Sequence, residues 1–435
     1  MAQLDLAAPM NAPAQSAAKA KGAWGPLLLL ALTITNAAAM RGVFSPIQEL
    51  AERELHFSDF QISLIQGVAA SIPIAVLSIP VGRMTDRGNR ARLLFGLSLL
   101  WTIGTFWTVF APDFWQMFFA RMFAGAGAMC SLTVAISMVA DFSTPDNRGR
   151  SMLLLSLGTM VGAAAAFALG GMLLGYFAQP GAPQLMGGLT PWRSVHLLFG
   201  VASAVLTSML LLLREPARTE ISDGAHASLR DALREIWDRR ALLGPLFLGQ
   251  VTVVMADAAA GIWAAPVLTR SYHQTPDQFA GWMGLVILGS GVVGAVVGGV
   301  AADLGHKSKL TNGILIGAVA AAVLSLPGAF FPLLPTIPAF AWTLALLLTC
   351  GAITGLITAT AIAVLVPNEI RGVCLGAFIV IGAVIGFGVA PTMVTWISDA
   401  LGGDSAIRYG LAATGALTSV LAAIGFIGAM RAKTA

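Results

Sequence analysis

The sequence predicts an all-α integral membrane protein with twelve transmembrane helices, arranged as two pseudo-symmetric six-helix bundles. Three observations lead to this prediction. The chain is strongly apolar and carries few charges, its apolar residues fall into twelve long blocks, and its two halves repeat each other at a constant offset.

The composition excludes a soluble protein. Of the 435 residues, 57% are hydrophobic and 11% are charged, and the mean hydropathy is +0.81. Soluble domains carry about 25% charged residues. Each apolar block has about 20 residues or more, the length that a helix needs to cross a bilayer. Backbone groups in hydrocarbon must pair within their own segment, so the blocks are predicted to be helices, and the short alternating segments of a β-barrel do not occur.

The apolar blocks give the positions of the spans. We predict the first six at residues 24–44, 60–81, 93–110, 114–140, 152–177 and 192–213, and the second six at residues 243–267, 279–301, 313–330, 340–366, 375–397 and 409–430.

The distribution of Lys and Arg predicts the orientation. Nineteen of these residues fall on one side of the predicted membrane, and only Arg53, Arg193, Arg270 and Arg408 fall on the other. Positively charged loops stay in the cytoplasm, so both termini are predicted to be cytoplasmic in a bacterial-type inner membrane. The polar residues 1–22 are then a disordered cytoplasmic tail.

An internal repeat supports two homologous halves. Four pairs of identical residues share an offset of 217: Gln61 and Gln278, Gly67 and Gly284, Gly82 and Gly299, and Asp86 and Asp303. We therefore predict a six-helix bundle at residues 23–213, a cytoplasmic linker at 214–241, and a second six-helix bundle at 242–435. In the linker, a capping box at Ser228 precedes an amphipathic pattern, which predicts an interfacial helix.

The loop between the second and third spans carries a motif, Gly82-Arg-Met-Thr-Asp86-Arg87-Gly88-Asn-Arg90-Ala-Arg92. Small residues at Gly82 and Gly88 favour close helix approach and a tight turn. This motif resembles the loop signature of the major facilitator superfamily, whose spans surround a central cavity. The resemblance implies that Asp86 contacts Arg148 and Arg150 after the fourth span, and that this contact latches the cytoplasmic gate. The second copy at Asp303 lacks the arginines, which predicts a weaker latch.

Further motifs narrow the resemblance within residues 36–218. They are Leu100-Trp101-Thr-Ile-Gly-Thr105, Phe119-Ala120-Arg121-Met-Phe-Ala-Gly125-Ala-Gly127, Pro191-Trp192-Arg193 and Arg214-Glu215-Pro216-Ala217-Arg218. Together they resemble spinster-type transporters, whose animal members are linked to lysolipids and sphingoid lipids. Two acidic residues of that group are missing, because Met40 precedes Arg41 and Ala128 follows Gly127.

Three ionisable residues remain at membrane depth: Arg41, Arg121 and Asp257. A charge at mid-bilayer costs at least about 2.5–3.5 kcal/mol, so such residues usually face a wet cavity or a partner. Arg121 is the main candidate for substrate binding, because a guanidinium grips a carboxylate or phosphate with two hydrogen bonds. Arg41 either joins it or extends to the outer interface. Asn36 is a further candidate for the cavity wall.

Asp257 is the candidate for proton coupling. A buried carboxylate holds a proton when no cation is near and releases it when an arginine approaches. The alternative is a fixed structural ion pair with Arg121 or Arg41. Two cations against one anion predict that the substrate or a counter-ion brings the missing negative charge.

The sequence therefore predicts a proton-coupled secondary transporter, acting as a monomer in the lipid bilayer, for a small organic anion or an anionic amphipathic molecule. A spinster-type exporter of lysolipids, sphingoid lipids or drug-like amphiphiles is the alternative, and a membrane sensor that does not transport is a third reading. The sequence contains no GxxxxGK[ST] loop and no catalytic or metal-ligand constellation, so no enzyme, cofactor or nucleic-acid partner is predicted.

Overall fold

A computed structural model of the protein describes residues 24–144, 147–218, 234, 236–308, 310, 312–366 and 368–432. Over these residues the secondary structure is helical, with no strand, as the sequence predicts. The predicted tail at residues 1–22 and the predicted capping box at Ser228 lie outside the described residues.

Twelve long helices make up the described part of the chain, and we label them α1 to α12. The first six are α1 Trp24–Gly42, α2 Asp59–Arg87, α3 Arg90–Phe110, α4 Phe114–Phe142, α5 Arg148–Phe177 and α6 Pro191–Leu212. The second six are α7 Arg240–Ser271, α8 Pro276–His306, α9 Gly313–Leu333, α10 Ile337–Leu365, α11 Asn368–Leu401 and α12 Ile407–Arg431. A short helix at Gln48–Leu55, which we call the outer helix, lies between α1 and α2.

Eleven of these helices are long and apolar enough to cross a membrane. The exception is α1, which has 19 residues and carries Asn36 and Arg41. We name the two ends of the bundle by the orientation that the Lys and Arg distribution predicts, so the outer helix marks the outer end.

The two halves pack in the same way. Helix α1 packs on α4, α5 and α6, and the corresponding α7 packs on α10, α11 and α12. The seams between the halves also correspond, because α2 packs on α11 and α8 packs on α5. The predicted pseudo-symmetry of two six-helix bundles is thus confirmed.

The helix starts repeat at the offset found in the sequence. Helix α2 begins with a capping box in which Ser58 and Gln61 bond each other's backbone N–H, and α8 begins with the same box at Thr275 and Gln278. A capping box satisfies N–H groups that the first turn of a helix leaves free. The repeat therefore preserves local helix initiation as well as span length.

The seams depend on a repeated glycine. A Cβ atom on Gly67 of α2 would overlap the backbone oxygen of Phe387 in α11. A Cβ on Gly284 of α8 would lie 3.0 Å from the backbone oxygen of Ala164 in α5. Both seams thus bring helix backbones together at equivalent positions, which small residues allow in membrane bundles.

Candidate functional site

A central cavity of about 350 Å³ lies between the two halves. Helices α1, α2, α4 and α5 form one wall and α7, α8, α10 and α11 form the other. The lining residues are Ala38, Arg41, Gly42, Ser45, Ile65, Gln66, Ala70, Arg121, Gly125, Ala163, Phe167, Val254, Asp257, Ala258, Ala260, Gly261, Ile262, Met283, Ile287, Leu344, Leu348 and Phe387. The wall is mainly apolar, and all three predicted intramembrane charges line it.

Arg121 of α4 is buried and turns its guanidinium towards the end of α1. It donates hydrogen bonds to the backbone oxygens of Met40 at 3.3 Å and Arg41 at 2.7 Å. These carbonyls lie in the last turn of α1, where a helix leaves acceptors free. The guanidinium also lies 5.4 Å from the centre of the Phe44 ring. Arg121 therefore caps α1, and its buried Nε has no hydrogen-bond partner in the described part of the chain.

Arg41 points into the cavity rather than towards the outer interface. Its Nη1 lies 3.6 Å from the Met129 sulfur, and its guanidinium lies 5.2 Å from the centre of the Phe387 ring on the opposite half. The sequence left open whether Arg41 extends to the surface, and the structure places it on the cavity wall. Its contacts are with a thioether and an aromatic ring, which leaves its charge available to an anion.

Asp257 lies on the opposite wall, in α7. Its carboxylate packs against Gly351 of α10, and its Oδ1 is buried without a hydrogen-bond partner among the described residues. Neither Arg41 nor Arg121 forms an ion pair with it in the part of the chain that the structure describes. The fixed structural ion pair that the sequence left open is therefore not formed in this conformation.

Asn36 does not line the cavity. Its Nδ2 donates a hydrogen bond of 3.0 Å to Ser203 of α6, which also accepts from Trp101. The prediction that Asn36 faces the cavity is wrong in this conformation, because it belongs to a buried polar cluster inside the N-terminal half.

Above the cavity, at the outer end, four charged residues join the two halves, and we call them the outer cluster. Arg270 of α7 donates to both carboxylate oxygens of Glu49 at 3.0 Å and of Glu52 at 2.9 Å, both in the outer helix, and to both of Asp59 in α2 at 2.8 Å. In the sequence Arg270 is visible only as a charge of an outer loop, so this role could not be predicted.

Below the outer cluster, amide side chains form further hydrogen bonds between the two halves. Gln48 of the outer helix donates a 2.9 Å hydrogen bond to the backbone oxygen of Ile262 in α7, and it accepts one from Gln66. Gln66 in turn accepts from Ser45 at 3.1 Å. The central cavity is thus closed off from the outer end by contacts between the halves.

At the inner end, a second group of charges lies within the N-terminal half, and we call it the inner cluster. Arg90 donates to Asp141 of α4 at 2.5 Å and to Glu215 after α6 at 2.8 Å. Arg218 donates to the backbone oxygens of Thr85 at 2.9 Å and Gly88 at 2.8 Å at the end of α2. The resemblance to spinster proteins includes residues 214–218 without a role for them. Here Arg218 caps the end of α2, and Glu215 binds Arg90 and the Ala91 N–H at the start of α3.

The loop motif is not latched in this conformation. The side chains of Asp86, Arg87, Arg150 and Asp303 are exposed. The backbone oxygen of Asp86 accepts a hydrogen bond from Arg218, whereas Arg148 donates a 3.4 Å hydrogen bond to Ala140 in its own half.

Gly82 and Gly88 of the loop motif differ in whether a larger side chain would fit. A Cβ on Gly82 would meet open space, so the close helix approach predicted there is not made. A Cβ on Gly88 would lie 2.7 Å from the Met84 oxygen in the last turn of the same helix, so the predicted tight turn requires a glycine there.

Comparison with known proteins agrees with this architecture. The Major Facilitator Superfamily model matches residues 29–391. The chain is 26% identical over 283 residues to Protein spinster homolog 1 of Homo sapiens, covering 60% of this chain and 50% of the human protein. It is 29% identical over 145 residues to the 3-(3-hydroxy-phenyl)propionate transporter of Escherichia coli (strain K12), covering 33% of this chain and 32% of that one. The chain thus spans half or less of the length of these two relatives.

A solved structure shows the same fold. The crystal structure of a bacterial homolog to the human lysosomal transporter Spinster, inward-facing and unoccupied, matches with a TM-score of 0.78 at 20% identity. The match covers 94% of this chain and 97% of that chain. The predicted resemblance to spinster proteins is confirmed. The family match across both halves shows that this multi-pass membrane transporter of the alternating-access type belongs to the Major Facilitator Superfamily.

Proposed function

We propose that the protein is a secondary active transporter that moves a small organic anion, or an anionic amphipathic molecule, through the central cavity with protons as the coupling ion. The observation that carries this proposal is the pair of guanidinium groups, Arg41 and Arg121, on one wall of an otherwise apolar cavity. No carboxylate pairs with either of them in the described part of the chain. Because a buried charge is costly without a partner, an anionic substrate is the natural counter-charge.

The size of the cavity favours a small solute. Ligand sites range over roughly 300–1,000 Å³, and this cavity, at about 350 Å³, lies near the lower limit. A long-chain lysolipid or sphingoid lipid would extend well beyond it. The similarity to the 3-(3-hydroxy-phenyl)propionate transporter supports the same reading, because the substrate in its name combines a carboxylate with an aromatic ring. The similarity to human spinster homolog 1 keeps an amphiphile exporter as the second candidate.

Asp257 is the proposed proton carrier. It shares the central cavity with Arg41 and Arg121, and the Cys350 thiol lies beside it in α10. When the substrate neutralises the arginines, their pull on Asp257 weakens, and the carboxylate more readily takes a proton. Substrate and proton would then occupy opposite walls of one cavity in the same state.

The loop motif is the proposed latch of the opposite conformation. Asp86, Arg87 and Asp303 are exposed here, where the outer end is closed. When the outer end opens, we propose that Asp86 approaches Arg148 and Arg150 and holds the inner end closed. Gly82 would then make the close helix approach for which it has room. Both termini are proposed to be cytoplasmic in a monomer of the inner membrane.

The substrate class is tested with a matched pair of probes that differ only in charge. Thermal unfolding of the purified protein is measured with 3-phenylpropionate and with its neutral amide. The acid is expected to raise the melting temperature and the amide is not. Arg41→Gln should remove the response because it removes one of the two cations. It should still fold, because among the described residues the Arg41 guanidinium donates only to the Met129 sulfur. Equal responses to acid and amide would contradict an anion site.

Coupling is tested with Asp257→Asn in proteoliposomes. We expect this variant to keep exchange of labelled substrate across the membrane and to lose substrate-driven proton movement, read by an enclosed pH dye. Exchange by the parent protein also separates a carrier from a sensor. If Asp257→Asn still moves protons with the substrate, Asp257 is not the coupling residue.

A further inference from the structure

A second and much smaller cavity lies inside the C-terminal half. It has a volume of about 10 Å³ and is enclosed by α7, α9, α10 and α12. Asp257 lines both this cavity, which we call the C-half cavity, and the central cavity. A volume of this size holds about one water-sized sphere. The C-half cavity therefore suits a single small occupant beside the Asp257 carboxylate.

Three hydroxyl groups from three different helices also line the C-half cavity: Ser325 of α9, Thr354 of α10 and Ser419 of α12. The Ser325 hydroxyl donates to the Ala322 backbone oxygen at 2.8 Å, and the Thr354 hydroxyl donates to the Gly351 backbone oxygen at 2.9 Å. A hydroxyl whose proton is engaged in this way has only its lone pairs left to offer. These two groups can therefore act only as acceptors towards an occupant of the cavity.

The remaining oxygens lack partners. Ser419 is 2% exposed, and neither its Oγ nor Oδ1 of Asp257 has a hydrogen-bond partner among the described residues. Buried polar atoms almost always find a partner, because leaving one unsatisfied is costly. One negative charge and several oxygen acceptors around a space of this size are the surroundings that a small cation requires.

We propose that Asp257, Ser325, Thr354 and Ser419 form a Na⁺-binding site. Hard cations take oxygen ligands. Ca²⁺ needs about six to eight of them and Mg²⁺ keeps several bound waters, and a cavity of about 10 Å³ has no room for either set. A soft metal ion would need several thiolate or imidazole ligands, and Cys350 alone lines this cavity. The small volume favours Na⁺ over the larger K⁺.

The proposed Na⁺ site and the proposed transport function share one residue, Asp257. The site rests on the proposed function only in treating Asp257 as the coupling residue, since Na⁺ in the C-half cavity and a proton on Asp257 exclude each other. The protein would then couple transport to whichever of the two cations binds Asp257.

The test is thermal unfolding of the purified full-length protein in NaCl, KCl and choline chloride at equal ionic strength, without substrate. Binding to the folded state alone raises the melting temperature with ligand concentration. We expect a saturable rise with NaCl and none with the other two salts. Thr354→Val and Ser419→Ala should each weaken the apparent Na⁺ affinity by about tenfold, since each removes one contact to a charged group, and Asp257→Asn should abolish the response.

Thr414→Val is the matched control. Thr414 is buried on the same helix as Ser419, and its hydroxyl also lacks a partner in the described residues, but it does not line the C-half cavity. Its response to Na⁺ should equal that of the parent. If a ligand variant does not fold, direct binding of ²²Na⁺ to Ser325→Ala gives the same comparison.

Equal stabilisation by all three salts, or an unchanged Na⁺ affinity in both Thr354→Val and Ser419→Ala, would overturn the site. The outcome is distinct from that of the proposed function. Na⁺ binding is measured at equilibrium without an anion. Stabilisation by NaCl can therefore be observed even if the acid and the amide give equal responses, and it can be absent even if they differ.

Discussion

The outer and inner clusters each surround one buried arginine with carboxylates, but they join different parts of the molecule. Arg270, with 15% of its side chain exposed, binds Glu49, Glu52 and Asp59 across the boundary between the halves. Arg90, with 2% exposed, binds Asp141 and Glu215 within the N-terminal half.

Because of this difference, the inner cluster stabilises the folded N-terminal half, whereas the outer cluster stabilises one conformation of the transporter. A buried charge must keep its counter-charges, and removing one partner typically costs about 3–5 kcal/mol. In the inner cluster, loss of a partner lowers the free energy of unfolding, because all its members belong to one bundle and move together. In the outer cluster, the same loss destabilises the closed state relative to the open state, because alternating access requires the halves to separate there.

The largest effect is expected from Arg270→Gln. The substitution removes the cation that binds Glu49, Glu52 and Asp59 across the boundary between the halves, so the closed outer end should lose about 3–5 kcal/mol. Each 1.4 kcal/mol is tenfold in an equilibrium, so outward-open molecules should increase by about 100-fold or more. The measurement is labelling of Ser45→Cys, on the cavity wall, by a membrane-impermeant maleimide from outside, with the native cysteines replaced by alanine.

Arg53→Gln is the matched control for this comparison. Arg53 also pairs with Glu49, at 3.3 Å, but 68% of its side chain is exposed. Exposed ion pairs contribute about 0–1 kcal/mol, so labelling should change little. Labelling that is equally slow in Arg270→Gln and the parent would show that the outer cluster does not hold the outer end closed.

The sequence predicts the spans well and the clusters poorly, for a physical reason. Span 7 was predicted at residues 243–267, and α7 runs from Arg240 to Ser271, because the helix continues past the apolar core. Hydropathy and loop charge act locally and can be read along the chain. The partners of Arg270 lie more than 200 residues away, so no periodicity indicates them.

The candidate site divides in the same way. The sequence shows Arg41, Arg121 and Asp257 as candidates because a charge inside an apolar span needs a water-filled cavity or a charged partner. The orientation of Asn36 could not, because α1 is apolar on all sides and so gives no signal for the face that meets the cavity. The hydrogen bond from Asn36 to Ser203 depends on how α1 packs against α6, which is a tertiary contact. The hydroxyls of the C-half cavity were hidden for the same reason, since buried threonines and serines usually serve helix packing.

A smaller effect, of a different kind, is expected from Arg90→Met. The substitution removes the cation shared by Asp141 and Glu215, and Glu215 is 25% exposed and so can be hydrated. We expect a loss of about 3 kcal/mol in the free energy of unfolding, measured by chemical denaturation. Maleimide labelling of Ser45→Cys in the folded protein should stay at the parent rate. The neighbouring Arg92→Met, on an exposed residue, should leave both quantities unchanged, and faster labelling in Arg90→Met would contradict the division of roles.

The smallest single step, at most tenfold for each unit of pH, is expected from protonation of Glu52 in the outer helix. Burial raises the pKa of Glu52 from 4.5 to about 8, with Arg270 opposing this shift and the Asp59 and Glu49 carboxylates adding to it. Asp404 faces the same cluster through Asp59. In the open state Glu52 would be hydrated and regain its ordinary pKa, so between these values the closed state binds a proton that the open state does not.

The proton bound to Glu52 in the closed state determines how pH shifts the equilibrium between the closed and the open outer end. The closed outer end is favoured at low pH and is weakened as the pH rises from about 4.5 to about 8, by at most tenfold per pH unit for one proton. Outside labelling of Ser45→Cys should therefore increase over this range beyond the intrinsic pH dependence of the thiol. Glu52→Gln, which mimics the protonated form, supplies that intrinsic dependence and should stay closed.

Glu54→Gln is the control that ties this effect back to the two clusters. Burial opposes the shift, but hydrogen bonds from Arg193 and Trp192 lower the pKa of Glu54. Its partners lie within the N-terminal half, so its protonation should not distinguish the open and closed states. Labelling of Glu54→Gln should keep the parent pH dependence. If Glu54→Gln removes that dependence and Glu52→Gln retains it, the proton is bound within one half and the outer cluster is not its site.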